Sequence, residues 1–287
     1  MNKIRIGQFS QSPNMLVIKK LNLLPEFELD ISNVQSSPGQ FQSLQSDELD
    51  IAITSPDNVL LFGTTDENPI GVQCELNILR SIDKGLKLSL VSNSSAHQIE
   101  DLQSLRFSID SPASGFSFLL KSMARKLGAR PEDFHYVSGG STPKRLNGII
   151  EGEAEATILN AESVVKAEEL GYKNWVDVSQ VAPGYLGTVL CAKKENRTAN
   201  FMDPFLTAWE NSTQWLLEQD FQGYSSIFEG MESKINSASY FSILQNKQHG
   251  MTASNEANLD ALESLIEIRR ESGGYVPEPS SLHQLFN

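Results

Sequence analysis

Leu105-Arg-Phe-Ser-Ile-Asp-Ser-Pro-Ala-Ser-Gly115 is an apolar strand running into a small polar turn that opens a helix, and the pattern recurs before Glu162. Ser138-Gly-Gly-Ser-Thr-Pro143 opens a second helix, and the strand Ala154-Glu-Ala-Thr-Ile-Leu159 ends in Asn160-Ala-Glu162. Strand–turn–helix units in succession predict an α/β sheet rich in parallel pairs with right-handed crossovers. Their turns converge at strand carboxyl ends, where helix N-termini present unpaired N–H groups and partial positive charge. Such a crevice suits an anionic or polar small molecule.

The same grammar extends in both directions. Ile4–Phe9 alternates as a strand, Ser12 caps a helix from Pro13 to Lys20, and Phe27–Asn33 is a strand of period two. Ser37-Pro38 starts a helix reaching Ser46, Leu49–Thr54 is a strand, and Ser55-Pro56 caps a helix to Phe62. Strands near Ile70–Gln73 and Ile78–Ile82 follow. Phe116, Leu119, Leu120, Met123 and Leu127 fall at helical spacing before the left-handed cap position Gly128. Leu146, Ile149 and Ile150 form the inner face of the next helix, ended by Gly152, and Ala161–Leu170 is a third, stopped by Gly171. Beyond the strand Leu186–Ala192 the chain is nearly all helical, with Phe205, Trp209 and Leu216 on one face and a last long helix from about Asn255 to Ser272. No flexible linker separates these parts, which suggests one lobe inserted in another. Connections near Leu86–Asn93 and Leu186–Ala192 give residues 1–90 plus 190–287 and residues 91–189.

The net charge of −13 disfavours nucleic acid and anionic membrane as partners. No run of about twenty apolar residues predicts a membrane span. Met1-Asn-Lys-Ile-Arg-Ile-Gly7 moves straight into a strand, as in a cytoplasmic protein; a periplasmic location requires a leader removed beforehand. Cys74 and Cys191 read as two buried free thiols, with a disulfide open only if their strands are neighbours. The scattered histidines predict no metal, and no cofactor is expected.

Ser111, Ser114 and Gly115 are the foremost ligand candidates, followed by Gly140, Ser141 and Thr142 with Gly139. Ser10, Gln11 and Ser12, together with Thr54 and Ser55, face the crevice by topology from the other lobe. Asn160 ends a strand beside Glu162, and Thr188 with Gly187 lies on the returning connection. The Ser111–Gly115 and Gly139–Thr142 turns have a second reading as plain helix caps, and Thr188 with Gly187 a second reading as hinge geometry alone. His97 and His135 read as surface or packing residues, Arg80 and Asp83 as an ion pair by the hinge, and Trp209 and Trp215 as core. Catalytic residues are not identifiable: no Ser/His/Asp order or Gly-x-Ser-x-Gly motif occurs.

Leu88-Ser-Leu-Val91, Phe107-Ser-Ile-Asp-Ser-Pro-Ala-Ser-Gly115, Gly139-Gly-Ser-Thr-Pro-Lys-Arg-Leu146, Gly152-Glu-Ala-Glu-Ala-Thr-Ile-Leu-Asn160 and Tyr185-Leu-Gly-Thr-Val189, in this order, resemble type 2 periplasmic solute-binding proteins. The branch they are most similar to serves ABC transporters for nitrate, sulfonates, taurine and thiamine-pyrimidine precursors. The resemblance implies an α/β, two-lobed type 2 periplasmic-binding-protein-like fold, each lobe a mostly parallel sheet flanked by helices, with a two-strand hinge. It also implies a small-molecule ligand, an ABC transporter permease as partner, and a monomer or weak dimer. Gln103-Ser-Leu-Arg106 departs from the family's Lys-Gly-Lys continuation. The cysteine-rich motif of the fungal pyrimidine synthases is absent. A cofactor-free lyase on the same fold, a dehydratase or decarboxylase, is the alternative, since fold alone does not decide function.

Overall fold

The computed structural model describes residues 2–93, 95–231, 233–253, 259 and 262–286, which build two five-stranded sheets. β1 (Asn2–Gln8), α1 (Pro13–Lys20), β2 (Phe27–Asn33), α2 (Ser37–Gln45), β3 (Ile51–Thr54), α3 (Pro56–Thr64) and β4 (Leu76–Asp83) come first. The chain then crosses to β5 (Ser89–Ser92), β6 (Arg106–Ile109), α4 (Gly115–Lys126), β7 (His135–Ser138), α5 (Thr142–Ile150), β8 (Ala156–Leu159), α6 (Ala161–Glu169), β9 (Lys173–Asp177) and α7 (Val178–Val181). It returns through β10 (Thr188–Lys193) into α8 (Met202–Glu218), α9 (Phe221–Ile227), α10 (Ala238–Gln245), α11 (Glu263–Glu271) and α12 (Pro279–His283).

Strand order is β2-β1-β3-β10-β4 in one lobe and β7-β6-β8-β5-β9 in the other. The two-lobed α/β class is the one expected, but the sheets are evenly mixed rather than mostly parallel. β1 pairs in parallel with β2 and β3, as β6 does with β7 and β8. β10 runs antiparallel to β3 and β4, and β5 to β8 and β9. The reason is connectivity: β5 and β10 enter their sheets directly from the opposite lobe, without a crossover helix to reset their direction.

The crossings are loops rather than strands. Gly85, Leu86 and Lys87 take φ of +102°, +48° and +60°, a run of left-handed residues between β4 and β5. The return passes alongside, with Gly187 N donating to Asp83 O at 2.9 Å. A third strand of chain joins them, Lys84 N donating to Gly250 O at 2.9 Å.

One apolar cluster runs through both lobes, joining Phe41, Val59 and Phe62 to Phe107, Leu119 and Met123. Phe205 and Trp209 of α8 cover the first sheet over Ile4, Ile6 and Leu190. Tyr224, Phe228 and Tyr240 pack on Val164 and Val165 of α6, and α11 lies against α4, so the C-terminal helices touch both lobes. Burial of each such side chain contributes about 1.5–3 kcal/mol. Cys74 and Cys191 are buried free thiols, and no helix among the described residues is long and apolar enough to cross a membrane.

Three local expectations change. Ile70–Gln73 is a turn, because the Asn68 side chain accepts from Ile70 N and donates to Val72 O, both at 2.9 Å, closing the loop on itself. Ile150 is 51% exposed, and Arg145 takes the inner-face place beside Leu146 and Ile149. The last long helix, α11, begins at Glu263. The expected start, Asn255 to Ala261, lies outside the described residues apart from Leu259.

Candidate functional site

The strand-end turns of the first lobe are organised by buried polar side chains. Gln8, at the end of β1, donates to Asn33 Oδ1 at 3.2 Å and accepts from Ser12 N at 3.1 Å. This leaves Ser10 and Gln11 exposed and Ser12 buried at the head of α1, where its side chain makes no cap bond. After β3, Thr54 Oγ1 accepts from Asn58 Nδ2 at 3.1 Å and Ser55 Oγ from Asn58 N at 3.2 Å. Both are therefore engaged in starting α3.

In the second lobe the Asp110–Ser117 turn is closed on itself. Ser114 donates to the Asp110 carboxylate and accepts from Ser117 N at 3.1 Å, while Ser111 O accepts from Ser117 Oγ at 2.5 Å. Ser111 is exposed, whereas Gly115 is buried beneath Asp57 of the other lobe, so the two serines of this turn divide between open surface and cap. Glycine is required at 139, where a Cβ would lie 1.9 Å from Ser108 Oγ.

Arg145, missed in the sequence, is the centre of the next turn. It is 1% exposed. It donates to Gly140 O at 2.6 Å, to Thr142 Oγ1 and Thr157 Oγ1 at 3.1 Å, and to Ile158 O at 3.1 Å. All four acceptors are neutral. Burial lowers its pKa while Asp110 works in the opposite sense, and a guanidinium remains charged in a protein. The other fully buried arginine, Arg269, is paired with Asp57. Arg145 so ties down Gly140 and Thr142 and leaves Ser141 half-buried at the head of α5 without a side-chain cap bond. The signal in the sequence was its i, i+4 spacing to Ile149, a cation on an apolar helix face.

Asn160 is likewise half-buried at the head of α6 with no cap bond. The next residue, Ala161, has φ +49° and donates its N–H to Leu86 O in the crossing at 2.8 Å. Glu162 turns away, accepting from Lys234 N at 3.1 Å and pairing with Lys166 at 2.9 Å. Among the sequence candidates, Ser10, Gln11, Ser111, Ser141 and Asn160, and the buried Ser12, retain side chains not engaged in capping. Thr54, Ser55, Ser114 and Thr142 are tied into caps and turns.

At the crossing, Thr188 is committed to the Asp83 carboxylate. Asp83 is 1% exposed and accepts from Gly85 N at 2.7 Å; burial pushes its pKa up to about 6 against these two hydrogen bonds. The expected Arg80–Asp83 pair is absent, because Arg80 turns outward to Glu210 at 2.8 Å. His97, His135 and His283 are exposed, while His249 is buried, so the histidines do not converge. Trp209 is core and Trp215 partly buried. A cavity of about 410 Å³ opens beside the α5 turn, lined by Ser138, Gly139, Gly140, Lys144 and Glu153.

Solved structures share this architecture over nearly the whole chain. The alkanesulfonate-binding protein SsuA from Xanthomonas axonopodis pv. citri, bound to MOPS, is 12% identical with a TM-score of 0.77, covering 100% of this chain and 98% of its own. The periplasmic aliphatic sulphonate binding protein SsuA from Escherichia coli is 15% identical with a TM-score of 0.71, covering 100% and 92%. A Candida albicans gene product described as defining a new family with the generic periplasmic binding protein fold is 13% identical, TM-score 0.74, covering 99% and 94%. No protein-family model and no curated protein matches the chain. The chain has the two-lobed periplasmic-binding-protein fold.

Proposed function

We propose that this is a solute-binding protein whose lobes, residues 1–90 with 190–287 and residues 91–189, close on a small anionic or heterocyclic organic metabolite. It acts as the receptor of an ABC importer, as a monomer or weak dimer delivering to a permease outside the membrane, and needs no cofactor. The observation that carries the reading is Arg145, a buried guanidinium at the strand ends whose hydrogen-bond partners among the described residues are all neutral. A buried charge without an ion-pair partner is costly; Asp110 offsets part of that cost, and an anion seated over the Ser141 turn supplies further countercharge. Ser10, Gln11, Ser111, Ser141 and Asn160 are the side chains that orient the rest of the ligand.

The test is a thermal-shift screen against alkanesulfonates, carboxylates, aromatic acids and pyrimidines. A ligand at a hundred times its Kd stabilises by about 2.7 kcal/mol, a rise of several degrees in Tm for a chain of this size. Arg145→Met keeps the side-chain volume and removes the charge; measured from its own unliganded Tm, it should lose the shift with anions. Absence of any shift across the panel refutes the reading. An undiminished anion shift in R145M removes Arg145 from it.

A further inference from the structure

The N-terminal end of α4, the foremost ligand-binding turn by sequence, is already filled by the chain itself. Asp57 lies in the first turn of α3 in the other lobe and is 1% exposed. A Cβ on Gly115 would sit 2.4 Å from its Cγ and 2.8 Å from its Oδ2, so the carboxylate rests directly on the first residue of α4. Oδ1 takes the Arg269 guanidinium, while Oδ2 is buried without an aligned hydrogen-bond partner and faces that helix end. Arg269 belongs to the C-terminal segment that spans both lobes. Its guanidinium stands 5.2 Å from the Phe118 ring of α4 and donates to Tyr275 O at 2.6 Å. Tyr275 OH then donates to Thr64 O, back on α3, at 3.1 Å.

We propose that Asp57 is an internal anion that latches the lobes together: from α3 it occupies the N-terminal end of α4, and Arg269 on the C-terminal strap is its counterion. The positive end of a twelve-residue helix is satisfied by a carboxylate from across the crevice, as it would be by an external anion. The latch closes the clamp without a ligand and occupies the N-terminal end of α4 at Gly115, while Ser111, earlier in the same turn, stays exposed.

Small-angle scattering and amide hydrogen exchange on the ligand-free full chain test this, and neither needs a ligand, so failure here leaves the solute-binding reading untouched. A compact chain of 287 residues has a radius of gyration of about 19 Å. Asp57→Asn keeps the shape and removes the charge; Gly115→Ala leaves Asp57 intact and blocks its seat with a methyl group. Both should raise the radius of gyration and lose amide protection over Ser111–Ser117, with β1 and β6 still protected. Wild-type scattering and protection in both variants overturn the latch. If D57N does not fold, G115A alone decides, because alanine is favourable in a helix and acts only on the seat.

Discussion

Asp83 makes the stability of this protein fall with rising pH over a defined interval. Its carboxyl is buried where the crossings run side by side, receives one N–H from Gly85 and one hydroxyl from Thr188, and has no ion-pair partner among the described residues. Burial raises it from 3.8 to about 6. In that interval the folded chain holds a proton that the unfolded chain has lost, so folding is favoured below about pH 4 and progressively less so up to about pH 6. About two units at roughly 1.4 kcal/mol each amount to about 3 kcal/mol, lost as the pH rises and not regained above it. Asp83→Asn has no such titration, and its side-chain oxygen still accepts from Gly85. Urea unfolding of both proteins at pH 4, 5, 6 and 7 gives the difference that isolates Asp83 from other groups. Asp101, Glu132 and Glu155, whose pKa values are lowered by hydrogen bonds, act in the opposite sense and cancel in that difference. D83N should gain on the wild type by about 3 kcal/mol between pH 4 and pH 7. A difference constant across that range refutes a buried, ionising Asp83.

Ala161→Gly should stabilise by about 0.5–1 kcal/mol in the same assay, because φ +49° strains a side chain that glycine lacks; a loss of stability would mean the strain is absent. Asn14→Ala should cost about 2–3 kcal/mol, since the fully buried amide donates to Ser212 and Thr213 at 3.0 and 2.8 Å and joins α1 to α8. An unchanged urea midpoint would show that those helices hold without it.

Strand periodicity, Ser-Pro helix starts and terminal glycines are short-range signals, and they were sufficient for most elements from β1 to β10, though not for the short β7, β9 and α7. The failures are equally physical. Ile70–Gln73 has strand composition, yet a single asparagine closes it into a turn. The inner face of α5 was misread at Ile150 because periodicity ranks apolarity, while Arg145 is buried by hydrogen bonds to residues from two other segments.

The chain by itself determined two lobes of α/β type and the small polar turns at their strand ends, since backbone preference and alternation act within a few residues. Tertiary structure alone decided which turns stay open. The α4 end is covered by a carboxylate 58 positions earlier, and that carboxylate is held by an arginine 212 positions later. Burial and charge pairing are properties of space rather than of neighbours in sequence, so a turn that looks built for a ligand can be filled from within.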